Sequence, residues 1–157
     1  MESQVEVVKR FFEAFARKDG EAMARSYADG ARFHDPVFSS LEGPAVGAMW
    51  RMLCDKARDL EVGLLEVDGT DDKVVAHWEA RYLYGREGRQ VRNRVRSEFS
   101  VEDGLIVAQR DRFSLWRWAA QALGTKGLLL GWTPMVQRGI RQEADKGLQL
   151  YRRRKRL

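Results

Sequence analysis

The sequence predicts an α+β fold, with helices first, an antiparallel meander after them, and helices again at the end. Two observations carry that reading. Apolar residues recur every three to four positions up to residue 58 and again after residue 116, but at every second position in between. Turn signals, Asp68-Gly69 and Asp103-Gly104, separate the period-two stretches, as hairpins require. Helices segregated from an antiparallel run pack on one face of a sheet. The 157 residues suit one domain with a real core.

Ser3 and Glu6 form a capping-box pattern ahead of a first helix that ends near Arg17. Val5, Val8, Phe12 and Phe15, with Phe11 beside them, supply its apolar face. Asp19 can cap a second, short helix carrying Met23 and Tyr27. Ala28-Asp29-Gly30 then turns the chain into a strand at 31–37, with Phe33 and Asp35 on one face and Arg32 and His34 on the other. Pro44 opens a third helix reaching about residue 58, which buries Val46, Met49, Trp50, Leu53 and Ala57. Strands are expected at 60–67, 73–84, 90–101 and 105–116, and a helix at 116–123 ended by Gly124. Residues 127–132 read as an apolar connector, after which Thr133 caps and Pro134 starts a last helix with Val136, Ile140, Ala144, Leu148 and Tyr151 on one side. The narrow stripe favours packing against protein over lying on a membrane.

The net charge of +5 belongs to one segment. Setting aside Arg152, Arg153, Arg154, Lys155 and Arg156 leaves 23 basic residues against 23 acidic ones. The high pI therefore marks a basic run, expected to be a mobile tail at 152–157, and not a nucleic-acid-binding face. No apolar run reaches the ~20 residues of a membrane span, and the N-terminus lacks a signal-peptide pattern. The lone Cys54 rules out an internal disulfide and suits a reducing cytoplasm. His34 and His77 fall on outward faces, so neither a metal nor another cofactor is expected.

Alternation divides the long strands by face. Glu79, Arg81, Arg92, Arg94, Arg96, Glu98, Arg110 and Arg112 form a charged outer side. The inner side holds Trp78, Tyr82, Tyr84, Val95, Phe99, Val107 and Phe113, interrupted by Asn93, Ser97, Gln109 and Asp111. Four polar groups on a buried face must pair with one another, with water or with a ligand. Asp35 stands apart in the same way. A carboxylate that shares a face with Phe33 and precedes Pro36 either caps a local turn or sits in a pocket.

Residues 10–37 resemble, without a gap, the N-terminal half of ketosteroid isomerases and other nuclear transport factor 2-like (SnoaL-like) proteins. The carriers are Phe11-Phe12, Lys18-Asp19-Gly20, Tyr27-Ala28-Asp29-Gly30-Ala31 and Asp35-Pro36-Val37. The resemblance continues weakly to about residue 116. It implies a cone-shaped curved sheet with the N-terminal helices packed on its concave face. Residues 1–116 would form that cone, and 117–151 a C-terminal helical extension of the same domain. In the isomerases the aspartate at the Asp35 position is the general base. Their oxyanion-hole positions fall on Phe11, which cannot donate a hydrogen bond, and on Ser97. The stretch Gln109-Arg110-Asp111-Arg112-Phe113 is similar to one in limonene epoxide hydrolase and puts Asp111 on a catalytic aspartate there. The other two members of that enzyme's set fall on Trp78 and Ala80, which cannot serve.

These residues point to a small-molecule enzyme of isomerase, cyclase or hydrolase type, with Asp35 as base and Asp111 as partner acid. Asn93, Ser97 and Gln109 would orient polar atoms of a largely apolar substrate, and Phe11, Phe33, Trp50, Trp78, Tyr82, Tyr84 and Phe113 would wall it in. The alternative is a binding or dimerisation module of the same fold without chemistry. The resemblance also implies a homodimer.

Overall fold

The computed structural model describes residues 2–70 and 72–157. Helix α1 (Gln4–Ala16) starts where the capping box puts it, with the Glu6 amide donating to the Ser3 hydroxyl. Asp19 caps α2 (Gly20–Arg25) by accepting from the Ala22 amide. Strand β1 (Tyr27–His34) begins four residues before the expected start, so Tyr27 is a strand residue and not a helical one. After the two-residue β2 (Leu41–Glu42), Pro44 opens α3 (Pro44–Lys56). Val46, Met49, Trp50 and Met52 are buried on it, whereas Leu53, expected inside, is 36% exposed.

The meander is β3 (Arg58–Gly69), β4 (Val74–Tyr84), β5 (Arg89–Glu102) and β6 (Leu105–Arg112), all antiparallel neighbours. Asp103 and Gly104 both take positive φ in the last hairpin, the geometry of a tight turn whose twist matches the flanking strands. Strand β1 joins parallel to β6, giving a six-stranded sheet in the order β2-β1-β6-β5-β4-β3. The curved, unclosed sheet with α1 and α3 against it is the expected cone. A register shift between Ser100 and Val101 changes the parity at the start of β6, so Ile106 is buried where alternation placed Val107.

The core is aromatic. Phe11 lies edge-on to Phe12, Tyr27, Trp50 and Phe99, with ring centroids 5.3–5.8 Å apart. Past the sheet, α4 (Leu115–Leu123) follows Ser114, whose hydroxyl accepts from the Arg117 amide. The expected apolar connector contains a helix, α5 (Thr125–Leu130), lying so close to α4 that a Cβ at Gly127 would fall 1.8 Å from the Ala119 carbonyl oxygen. Helix α6 (Pro134–Lys155) starts at the expected cap but passes the expected end at Tyr151. Residues 152–155 are thus a helical turn continuous with the fold. Their basic side chains sit at the negative end of the helix dipole, which offsets their mutual repulsion.

Candidate functional site

Three of the four polar residues on the inner face answer to one another. Register places Ser97 of β5 opposite Asp111 of β6, with Gln109 two residues along on the same side. The Ser97 hydroxyl donates to Asp111 Oδ1 at 2.5 Å, and Gln109 Nε2 donates to the same oxygen at 2.9 Å. Gln109 is held in turn by the Tyr27 hydroxyl, which donates to its Oε1 and accepts from Trp50 Nε1 at 2.7 Å. Trp78 Nε1 donates to Ser97 Oγ at 2.8 Å. The result is a buried chain of hydrogen bonds, all converging on one carboxyl oxygen. Among the described residues no protein donor reaches Oδ2 of Asp111, and the side chain lines a cavity.

Asp35 shows both behaviours that the sequence left open. Its Oδ1 accepts from the amides of Val37 (2.7 Å) and Phe38 (2.6 Å), closing a turn after β1. That turn is tied down by Arg141 of α6, whose Nε donates to the Pro36 carbonyl. Burial nevertheless outweighs the two amides and pushes the Asp35 carboxyl up to about 6. Asp111 is pushed up to about 7, again by burial first, with the hydroxyl and amide donors pulling the other way and the Asp35 charge adding to the rise. Burial thus favours the protonated form of both carboxyls, and more strongly that of Asp111.

Both carboxyls face a single cavity of about 1050 Å³. The sheet contributes Trp78, Ala80, Tyr82, Tyr84, Asn93 and Val95, α3 contributes Trp50, Met52 and Leu53, and Phe113 follows from the end of β6. Helix α6 closes one side with Met135, Val136, Gly139, Ile140, Glu143, Ala144 and Gly147. Eight of the twelve predicted site residues therefore line it. The other four do not. Phe11 and Phe33 are core residues packed against Trp50. Ser97 and Gln109, expected to touch substrate, stand behind the wall and hold Asp111. A separate polar hollow of about 390 Å³, beside the Tyr151–Asp55 hydrogen bond, lies away from both carboxyls.

Two residues were not singled out from the sequence. Trp118 of α4 donates its Nε1–H to the Tyr82 hydroxyl at 2.7 Å and lies edge-on to Tyr84. Its position in the run Leu115, Trp118, Ala119, Ala122 was the available signal. Tyr27 shares odd parity with Ala31, Phe33 and Asp35, a sign that the strand begins earlier. Because Trp118 occupies the Tyr82 oxygen, the Tyr82 proton is free to donate into the cavity close to the Asp35 charge. Among the described residues no three His, Cys, Asp or Glu side chains converge as a metal would need. Burial raises the Cys54 thiol to about 11, which makes it a poor nucleophile.

Solved structures share this fold at low sequence identity. A protein with a ketosteroid isomerase-like fold from Catenulispora acidiphila, in complex with trimethylamine, superposes with a TM-score of 0.69 at 15% identity, over 84% of this chain and 100% of its own. An LEH-like epoxide hydrolase of M. tuberculosis gives 0.63 at 21% identity, over 83% and 95%. A nuclear transport factor 2-like protein of unknown function from Burkholderia pseudomallei gives 0.66 at 16%, over 78% and 98%. Among curated proteins none matches significantly. The sequence profile of the SnoaL-like domain matches residues 8–109, which run from the second turn of α1 through the Gln109 that orients Asp111. With well over half its length matched, the chain belongs to the SnoaL-like domain family.

Proposed function

We propose that the protein is a cofactor-independent enzyme that moves a proton on a small, largely apolar molecule. The observation that carries this reading is the pair of carboxyls with raised pKa values facing one cavity, Asp35 at about 6 and Asp111 at about 7. Two such groups divide the work of base and acid near neutrality. Asp35 takes a proton from a carbon next to a carbonyl, and the electron pair moves onto the carbonyl oxygen. The Asp111 carboxyl or the Tyr82 hydroxyl donates a hydrogen bond to that oxygen, and Asn93 orients the polar end of the substrate. Where a carbon–carbon double bond adjoins that carbon, the intermediate is a dienolate, and returning the proton to its far carbon shifts the double bond into conjugation and completes an isomerisation. Loss of a leaving group, or attack of the enolate on a second carbonyl, gives the other outcomes open to the same step.

The test is deuterium uptake from heavy water by a panel of small cyclic ketones, followed by NMR. Protein-dependent exchange at the α-carbon is expected, with Asp35→Asn slower by roughly 10²–10⁴-fold. The rate should peak where Asp35 is ionised and Asp111 protonated, between about 6 and 7. Exchange no faster than buffer across the panel, together with tight binding of the same ketones, would favour a ligand-holding module instead.

A further inference from the structure

We propose that the elbow between α5 and α6 is a docking surface for an anionic membrane. Leu129, Trp132 and Met135 are 63%, 66% and 73% exposed there, beside the exposed Leu128 and Leu130. Scattered exposed apolar residues are ordinary, but a contiguous run of this size on one elbow is not. Trp116 and Trp132 give their indole N–H groups to the carbonyls of Leu128 and Leu129, so each ring keeps an apolar face free while its polar edge is satisfied. Such tryptophans suit the boundary between headgroups and acyl chains.

Charge selects the occupant. Residues 112–142 contain five basic side chains, Arg112, Arg117, Lys126, Arg138 and Arg141, and no acidic one. Of these, Lys126 and Arg138 are exposed on α5 and α6, which form the elbow, and Arg117 is exposed on the neighbouring α4. A second copy meeting this patch across a two-fold axis would bring like charges together, since an isologous interface pairs a surface with itself. Anionic lipid satisfies both halves of the pattern. Leucine, methionine and tryptophan enter the apolar layer while Lys126 and the arginines meet the headgroups. No described helix is long and apolar enough to cross the bilayer, so the protein lies on the surface. Lys126, Leu130 and Met135 also line the cavity, which therefore opens beside the docked patch. Helix α6 packs against protein through Val136, Leu148 and Tyr151, as sequence patterning expected, and leaves Met135 at its start exposed.

Vesicle flotation tests this without reference to any reaction. The full chain should float with phosphatidylcholine vesicles containing a third phosphatidylglycerol, and stay in solution with phosphatidylcholine alone. Lys126→Glu should weaken the binding roughly tenfold. Leu129→Glu should abolish it with an unchanged melting temperature, since the side chain contacts solvent. On binding, the tryptophan emission should shift to the blue, and less so in Trp132→Phe. Failure of the wild type to float with anionic vesicles overturns the proposal. So does a dimer in sedimentation that Leu129→Glu dissociates, which would make the patch a self-interface.

Discussion

Asp111 shows how a carboxyl can be both held firmly and kept near its protonated form. Ser97 and Gln109 fix one oxygen, yet burial outweighs them. Ser97 also accepts from Trp78, so its hydroxyl serves two partners at once. In Ser97→Ala the indole N–H loses its acceptor and Asp111 loses one donor. Leaving a buried donor unsatisfied costs about 1–3 kcal/mol. The Asp111 pKa should rise further, because a hydrogen bond that favours the charged form has gone. Both effects are measurable, by denaturant titration and by carboxyl NMR, and an Asp111 that titrates lower in the variant would sink this account. Asp35 answers differently to substitution. Asparagine keeps an oxygen for the Val37 and Phe38 amides while removing a buried charge, so Asp35→Asn should fold at least as stably as the wild type at neutral pH.

Helix α6 is the element that turns an open cone into a cavity with three sides. Gly139 and Gly147 lie on its cavity face, and a Cβ added at either would meet nothing within 4 Å. Glycine inside a helix costs about 1 kcal/mol relative to alanine, and here no crowding explains it. On the proposed function, their bare backbone leaves room for a bound molecule. Gly139→Ala should therefore raise the melting temperature by a few degrees while weakening ligand binding. A lower melting temperature would mean that the position is packed after all. The existence of α6, its cap and its apolar stripe were legible because they are local patterns: Thr133, Pro134, then Val136 to Tyr151 at helical spacing. The four inner-face polar residues were legible through strand parity. Their pairing was not. Ser97 and Asp111 are 14 residues apart and Tyr27 and Gln109 are 82 apart, and no periodicity encodes which of them bond to each other and which face a ligand. Parity itself failed at the bulge by Ser100, where one shifted residue exchanged Val107 for Ile106.

At the scale of the molecule, two buried carboxyls with raised pKa values make stability depend on pH in an unusual direction. In the unfolded chain both titrate near 3.8, whereas in the fold Asp35 titrates at about 6 and Asp111 at about 7. Between these limits the folded state binds more protons than the unfolded one, so stability falls as pH rises from about 4 to about 7 and levels off above. The outer face works the other way. Glu79 is held below its usual value by a hydrogen bond from Arg92, and Glu98 by one from Arg96. Their contribution is complete above the ordinary glutamate value of 4.5 and is lost as pH falls through their lowered values. That contribution is modest, because exposed pairs are screened by solvent. Together the two faces put maximum stability at about pH 4, more acidic than the range of about pH 5–8 common among proteins. Guanidinium unfolding at constant ionic strength should place the highest midpoint there. The decline toward neutrality should disappear in the Asp35→Asn, Asp111→Asn double variant, because neither amide gains a charge. A neutral optimum in the wild type, or an undiminished decline in the double variant, would show that these carboxyls do not carry the buried charge on which the acid–base reading depends.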